Sequence, residues 1–259
     1  MKLGFIGMGN MASAIYNGIV TGNFLSNKDI IAYDINSAQF DKLAVKPNVA
    51  KSVEEVIKSS EIILVAVKPQ VVESVIKPVK DLLKNKVLVS IVLGYDFDKY
   101  NTILDQSTRH VFVMPNTPAR VLCGMSLVEE KNNLTDEELK YVIDMFKSFS
   151  EVEIMPSHLM SAAGSLSGCG PAFVYMMIEA LADAAVLEGV PRDKAYKLAS
   201  TTVMGSGKMQ LETGIHPGIL KDNVCSPGGS TIRGVNKLEE SGFRSALMDA
   251  LRACVHYKD

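Results

Sequence analysis

The residues best suited to chemistry lie in one short stretch, Ser226-Pro227-Gly228-Gly229-Ser230-Thr231. It has poor helix and strand propensity, and two adjacent glycines permit positive φ, so successive backbone N–H groups can point the same way. An apolar helical pattern follows from Thr231. Those amides would then open a helix, where a carboxylate or phosphate is stabilised. Ser226, Ser230 and Thr231 add hydroxyls that donate or accept. The pattern describes a loop that holds a small anion, although a serine-rich turn capped by a threonine would use the same residue types.

A second stretch opens the chain. Lys2-Leu3-Gly4-Phe5-Ile6 reads as a short strand and runs into Gly7-Met8-Gly9-Asn10-Met11-Ala12, a GxGxxA pattern. Met11, Ala12, Ile15 and Ile19 then recur at helical spacing up to a C-cap candidate, Gly22. The next strand, Ile30-Ile31-Ala32-Tyr33, ends at Asp34, roughly twenty residues beyond the glycines. Strand, glycine turn, helix, strand and acid in this order are the arrangement of a dinucleotide-binding fold. Gly7 would make the tight turn, Gly9 would admit the pyrophosphate, and Ala12 would let helix and strand pack closely.

These elements need a core to hold them, and 259 residues supply one, as one or two domains. Hydrophobic content of 47% with 22% charged residues reads as soluble and globular. A net charge of −2, with no basic run longer than two residues, argues against nucleic acid or an anionic membrane surface as partner. No apolar run is expected to reach the roughly 18 residues that cross a bilayer. The N-terminus reads as strand and turn rather than a leader, so a cytoplasmic location is expected. Cys123, Cys169, Cys225 and Cys254 form no CxxC pair and the histidines lack ligand spacing, so no metal site is expected.

After Asp34, strand and helix patterns alternate. Ser52-Val53-Glu54-Glu55 and Thr135-Asp136-Glu137-Glu138 read as capping boxes. Near-continuous apolar runs at 61–67, 86–92 and 109–114 fit parallel strands covered on both faces, with later strands at 125–129 and 150–155. Ligands in such sheets bind beyond the strand ends, where Asp34, Lys68-Pro69-Gln70 and Asn116-Thr117 fall. Past Met155-Pro156 the strands stop. Pro171 suggests the start of a long helix apolar all round, and further helices are expected at about 191–213, 231–240 and 243–257. The fold class expected is α/β: a Rossmann-type domain over 1–155, then an all-α domain over 156–259. The second has more apolar surface than it can hide, and so is expected to dimerise.

Four segments together resemble the pyrroline-5-carboxylate reductases: Gly7–Ala12, Ala66-Val67-Lys68-Pro69-Gln70, Met114–Ala119 and Asp222–Thr231. Leu166–Ala172 is similar to the segment that links this family's domains. The resemblance implies reduction of the cyclic imine of 1-pyrroline-5-carboxylate to L-proline by NADPH or NADH, in a homodimer that can assemble as a ring of five dimers. It implies that Thr231 hydrogen-bonds the ring nitrogen and that Ser226, Gly228, Gly229, Ser230 and Thr231 hold the substrate, with the amides of Gly229, Ser230 and Thr231 on its carboxylate. Gly7, Met8, Gly9, Asn10, Met11, Ala12, Asp34, Ala66, Val67, Lys68, Pro69, Asn116 and Asn223 would bind the cofactor, Lys68 and Asn116 at its nicotinamide end.

Three departures stand out. Cys169 replaces a frequent serine, Val92-Leu93 replace smaller alanines, and Asp34 stands where NADPH-preferring members carry uncharged residues. A carboxylate there suits a ribose 2′-OH and repels a 2′-phosphate. Lys42 is the first base beyond it, so NADH is expected to be tolerated or preferred. Two other readings compete. A β-hydroxyacid dehydrogenase would need a lysine acid–base on the helix after the glycine turn, yet none follows Gly170 before Lys194. A non-catalytic nucleotide sensor would bind the cofactor without oxidising it.

Overall fold

The computed structural model describes residues 2–256, and the expected end of the last helix, Tyr257, lies outside them. The chain forms two compact units, Met1–Gly168 and Cys169–Asp259.

The first unit is one eight-stranded sheet in the order β3-β2-β1-β4-β5-β6-β7-β8. Its strands are β1 (Leu3–Ile6), β2 (Ile30–Tyr33), β3 (Asn48–Val49), β4 (Ile62–Val65), β5 (Val87–Ser90), β6 (Arg109–Pro115), β7 (Gly124–Glu129) and β8 (Ser150–Met155). All neighbours from β3 to β6 are parallel, β7 runs antiparallel to β6, and β8 is parallel to β7. The helices are α1 (Asn10–Thr21), α2 (Val53–Ser59), α3 (Val72–Ile76), α4 (Phe97–Asn101) and α5 (Asp136–Lys147).

β1, β4 and β5 are buried at every position, as parallel strands covered on both faces must be. Their side chains alternate between two cores. Leu3, Phe5, Leu64 and Val89 join Ile15, Tyr16 and Phe146 of α1 and α5 on one face. Ile6, Ile63, Val65 and Leu88 join Val56, Ile57 and Ile76 of α2 and α3 on the other. Thr135 opens α5 with a complete capping box to Glu138, and Arg109 holds the same Glu138 at 2.7 Å. At α2 the Ser52 hydroxyl accepts from Glu55 N as expected, but the Glu55 carboxylate reaches one residue further back, to Lys51 N at 2.7 Å.

The second unit carries the rest of α6 (Met160–Leu187), then α7 (Arg192–Thr213), α8 (Pro217–Asn223), α9 (Ser230–Glu240) and α10 (Phe243–Val255). Pro171 lies inside α6 rather than at its start. The helix is therefore longer than the proline suggested, and Ser157–Leu187 is long and apolar enough by composition to cross a membrane, contrary to the sequence expectation. Only 6% of its most apolar window is buried within this chain. Among the described residues, the buried apolar side chains of this unit are Ala182, Ala195 and Ala199. Met176, Leu187, Met204 and Leu211 are exposed. Three alanines cannot stabilise such a unit at about 25 cal/mol per Å² of buried apolar area. Its core must be completed by another surface.

Gly22 closes α1 with φ −74°, so it is needed for space rather than for handedness. A Cβ there would fall on the backbone oxygen of Ser148. Gly22→Ala is expected to lower stability by about 1–3 kcal/mol, the usual cost of overpacking against an atom that cannot swing away; urea unfolding of the two proteins checks it.

Candidate active site

The order of strands reverses at β1, which has β2 on one side and β4 on the other, and the crevice beyond these strand ends is where a doubly wound sheet binds ligands. Gly7 turns there with φ +93°, and a Cβ on it would lie 2.7 Å from the Ala66 carbonyl oxygen at the end of β4. Gly9 has φ −66°, and a Cβ on it would meet nothing within 4 Å, so the space above the turn is open. The amides of Asn10, Met11 and Ala12 open the twelve-residue α1 with no carbonyl one turn earlier to receive them. Aligned donors at a helix N-terminus beside open space fit a pyrophosphate.

Two members of the turn serve it from within. Met8 is fully buried in the core, and its N–H is already given to Asp34 Oδ2 at 2.7 Å. Met8 therefore shapes the turn and ties it to Asp34. Asp34 takes a second amide, Asn36 N–H, on Oδ1 at 2.8 Å. With one backbone donor on each oxygen, the carboxylate is held at the end of β2, with one lone pair per oxygen still available for hydroxyls. The nearest following bases are engaged elsewhere: Lys42 Nζ donates to Gln39 at 2.9 Å and Lys46 pairs with Asp41 at 2.7 Å.

At the end of β4, Ala66 N–H continues the ladder to Ile6 O at 2.9 Å, and half-buried Val67 packs on the second core. Lys68 and Pro69 follow, exposed, where a short 3₁₀ turn begins. Val92 is buried in the core while Leu93 is 57% exposed, so only the second of these two departures reaches the rim. Asn116 is only 8% exposed; it donates one Nδ2–H to Ser167 O at 3.0 Å and accepts Met125 N–H on Oδ1 at 2.9 Å, with a second N–H and a second lone pair remaining.

In the second unit, Gly228 (φ +72°) turns the chain into α9, and Ser230 and Thr231 occupy its first positions, both exposed. The Gly229 N–H closes the turn onto Ser226 O at 3.0 Å and is therefore spent. The Ser230 and Thr231 amides open the helix, with the Ser226, Ser230 and Thr231 hydroxyls on the same short turn. Asn223 ends α8 nearby in sequence and is exposed. Burial pushes the Cys169 thiol upward, and Cys254 beside it adds to the shift. All four cysteines are free, and among the described residues no cluster of His, Cys, Asp and Glu could hold a metal.

Two residues were missed from sequence. Ser167 receives Asn116 and has a buried hydroxyl without a partner; Leu122 is left-handed at φ +59° just past the Thr117–Val121 turn. Neither has a local sequence signal, since both depend on what lies across the fold.

Fold and donors together define a nicotinamide-dependent oxidoreductase with a separate helical assembly domain. Residues 2–94 match the family described as NADP oxidoreductase, coenzyme F420-dependent, and residues 157–259 match pyrroline-5-carboxylate reductase dimerisation. The pyrroline-5-carboxylate reductase of Escherichia coli is 42% identical, with 98% of this chain and 96% of that protein covered. That of Arabidopsis thaliana is 40% identical over 97% and 92%. The solved Plasmodium falciparum pyrroline carboxylate reductase with NADP bound superposes with a TM-score of 0.89 at 34% identity, covering 99% of this chain and 96% of that one. The chain belongs to the pyrroline-5-carboxylate reductase family. A Mycobacterium tuberculosis 3-hydroxyisobutyrate dehydrogenase, 12% identical with a TM-score of 0.53 over 83% of this chain and 72% of that one, shares the fold alone.

Gly9→Ala is expected to weaken nucleotide binding roughly ten-fold or more, because the methyl occupies the space the pyrophosphate needs. Its melting temperature should stay at the native value, since the methyl touches no protein atom; fluorescence titration and thermal unfolding read the two effects separately.

Proposed function

We propose that this protein reduces 1-pyrroline-5-carboxylate to L-proline with a reduced nicotinamide cofactor. The observation that carries the reading is the Ser226–Thr231 turn, which spends its Gly229 amide on itself and presents Ser230 and Thr231 at the start of an eleven-residue helix. The cofactor supplies the hydride, so the protein must hold and polarise rather than furnish a nucleophile. The Ser230 and Thr231 amides hold the carboxylate of the imine against the positive end of α9. The Thr231 hydroxyl hydrogen-bonds the ring nitrogen, which keeps the adjacent carbon electrophilic. Lys68 and Pro69 border the nicotinamide end, and Asn223 contacts the nucleotide from the helical unit.

The fixed Asp34 carboxylate accepts ribose hydroxyls and repels a 2′-phosphate, so NADH is the preferred cofactor, with NADPH accepted less well. The helical unit pairs with a second copy of the chain, and pairs assemble into larger rings such as a decamer. Its long apolar helix is covered by that partner and not by lipid. The protein works in the cytoplasm, without nucleic acid.

The test is the loss of nicotinamide absorbance by purified protein with the imine and either cofactor. Oxidation that depends on the imine supports the reading; binding of both nucleotides without turnover would favour a sensor. Thr231→Ala should lower kcat by roughly ten-fold or more, the scale of a lost polarising donor, while nucleotide affinity holds. Asp34→Ser should raise the NADPH-to-NADH ratio of kcat/KM by about ten-fold or more, because it removes a charge repulsion at the 2′ position. An unmoved ratio would mean that this carboxylate does not face the ribose.

A further inference from the structure

Pro171 has no N–H, so it cannot donate to the carbonyl one turn earlier in α6, that of Ser167, and its ring crowds that carbonyl. A carbonyl freed inside a helix needs another donor. Asn116 supplies one from a different element: its Nδ2 donates to Ser167 O at 3.0 Å. Its Oδ1 meanwhile accepts Met125 N–H at 2.9 Å, so both arms of a buried amide end on backbone. The contact joins the end of β6, the start of β7 and the helix.

Its place in the chain is specific. The turns of α6 before it are seated on the sheet, with Met160 and Ala163 packed against Phe112, Met114 and Leu127. The compact nucleotide-binding unit ends at Gly168, one residue past the bonded carbonyl. The hydrogen bond therefore falls at the C-terminal limit of that unit. The Ser167 hydroxyl makes no bond that would duplicate it.

We infer that Asn116 is a positioning residue: it gives Ser167 the donor that Pro171 withholds, and so fixes where α6 leaves the nucleotide-binding unit. The inference rests on the reductase reading, because hydride transfer is what makes that exit matter. Reacting atoms must be held about 3–3.5 Å apart, and a misplacement of about 1 Å costs roughly a hundred-fold in rate. The proline removes one hydrogen bond of the helix, and the asparagine replaces it from another element.

A double-mutant cycle with Asn116→Ala and Pro171→Ala tests this, since replacing the proline by alanine restores an N–H to the Ser167 carbonyl. Asn116→Ala should lower kcat roughly ten-fold or more while the nucleotide dissociation constant, measured without imine, stays within about two-fold. Adding Pro171→Ala should recover about three-fold or more of the loss and part of the lost thermal midpoint, because the helix then supplies its own donor. Should Asn116→Ala alone fail to fold, the cycle is read by thermal unfolding from the Pro171→Ala parent, in which Asn116→Ala must be tolerated. Equal damage with and without the proline, or loss of nucleotide binding in step with kcat, would overturn the inference. A native protein without reductase activity would sink the functional reading alone, since the coupling between Asn116 and Pro171 would still appear in the thermal midpoints.

Discussion

The Gly7 turn passes so close to the end of β4 that a Cβ would stand 2.7 Å from the Ala66 oxygen, and the architecture of the first unit depends on that approach. It lets β1 lie between β2 and β4 with its end open, which creates the crevice. The same turn sends the Met8 amide to Asp34, so the residue that follows β2 is tied to the glycine turn. Turn, helix N-terminus and carboxylate form one hydrogen-bonded assembly. The proposed cofactor selectivity follows from a charge that cannot rotate away.

The second unit is governed by the opposite condition, a shortage of interior. With Ala182, Ala195 and Ala199 as its buried apolar side chains among the described residues, it cannot be stable by its own packing, and it belongs to a family of dimerisation domains. Such a unit gains its stability from assembly, so stability and protomer concentration are linked. The chemistry asks little of individual side chains by comparison. No general base is needed to move a hydride that a cofactor supplies.

Much of this was legible in the sequence because the signals are local. The glycine spacing at 7–12, the capping sequence at 135–138 and the buried runs of β4 and β5 each depend on neighbours within a few residues, and the structure carries them. The failures share one cause: they needed a partner from elsewhere in the chain. Pro171 looks like a helix start because proline disfavours helix interiors, and nothing nearby reveals that Asn116 satisfies the orphaned carbonyl. The misplaced start also shortened the apolar stretch, which hid the length of α6. Gly229 sits in a ligand motif, yet gives its amide to Ser226. The short α8 was missed because its cap is the ring nitrogen of His216, accepting Gly218 N–H at 3.0 Å, rather than a serine or aspartate.

Transfer of a hydride from the nicotinamide to the imine carbon is the step on which the proposed reaction turns. Purified protein incubated with 1-pyrroline-5-carboxylate and NADH deuterated at the transferable position of the nicotinamide should yield L-proline carrying one deuterium on the ring carbon that was doubly bonded to nitrogen. Proline without deuterium, or nucleotide that binds and returns unoxidised with the imine intact, would contradict it.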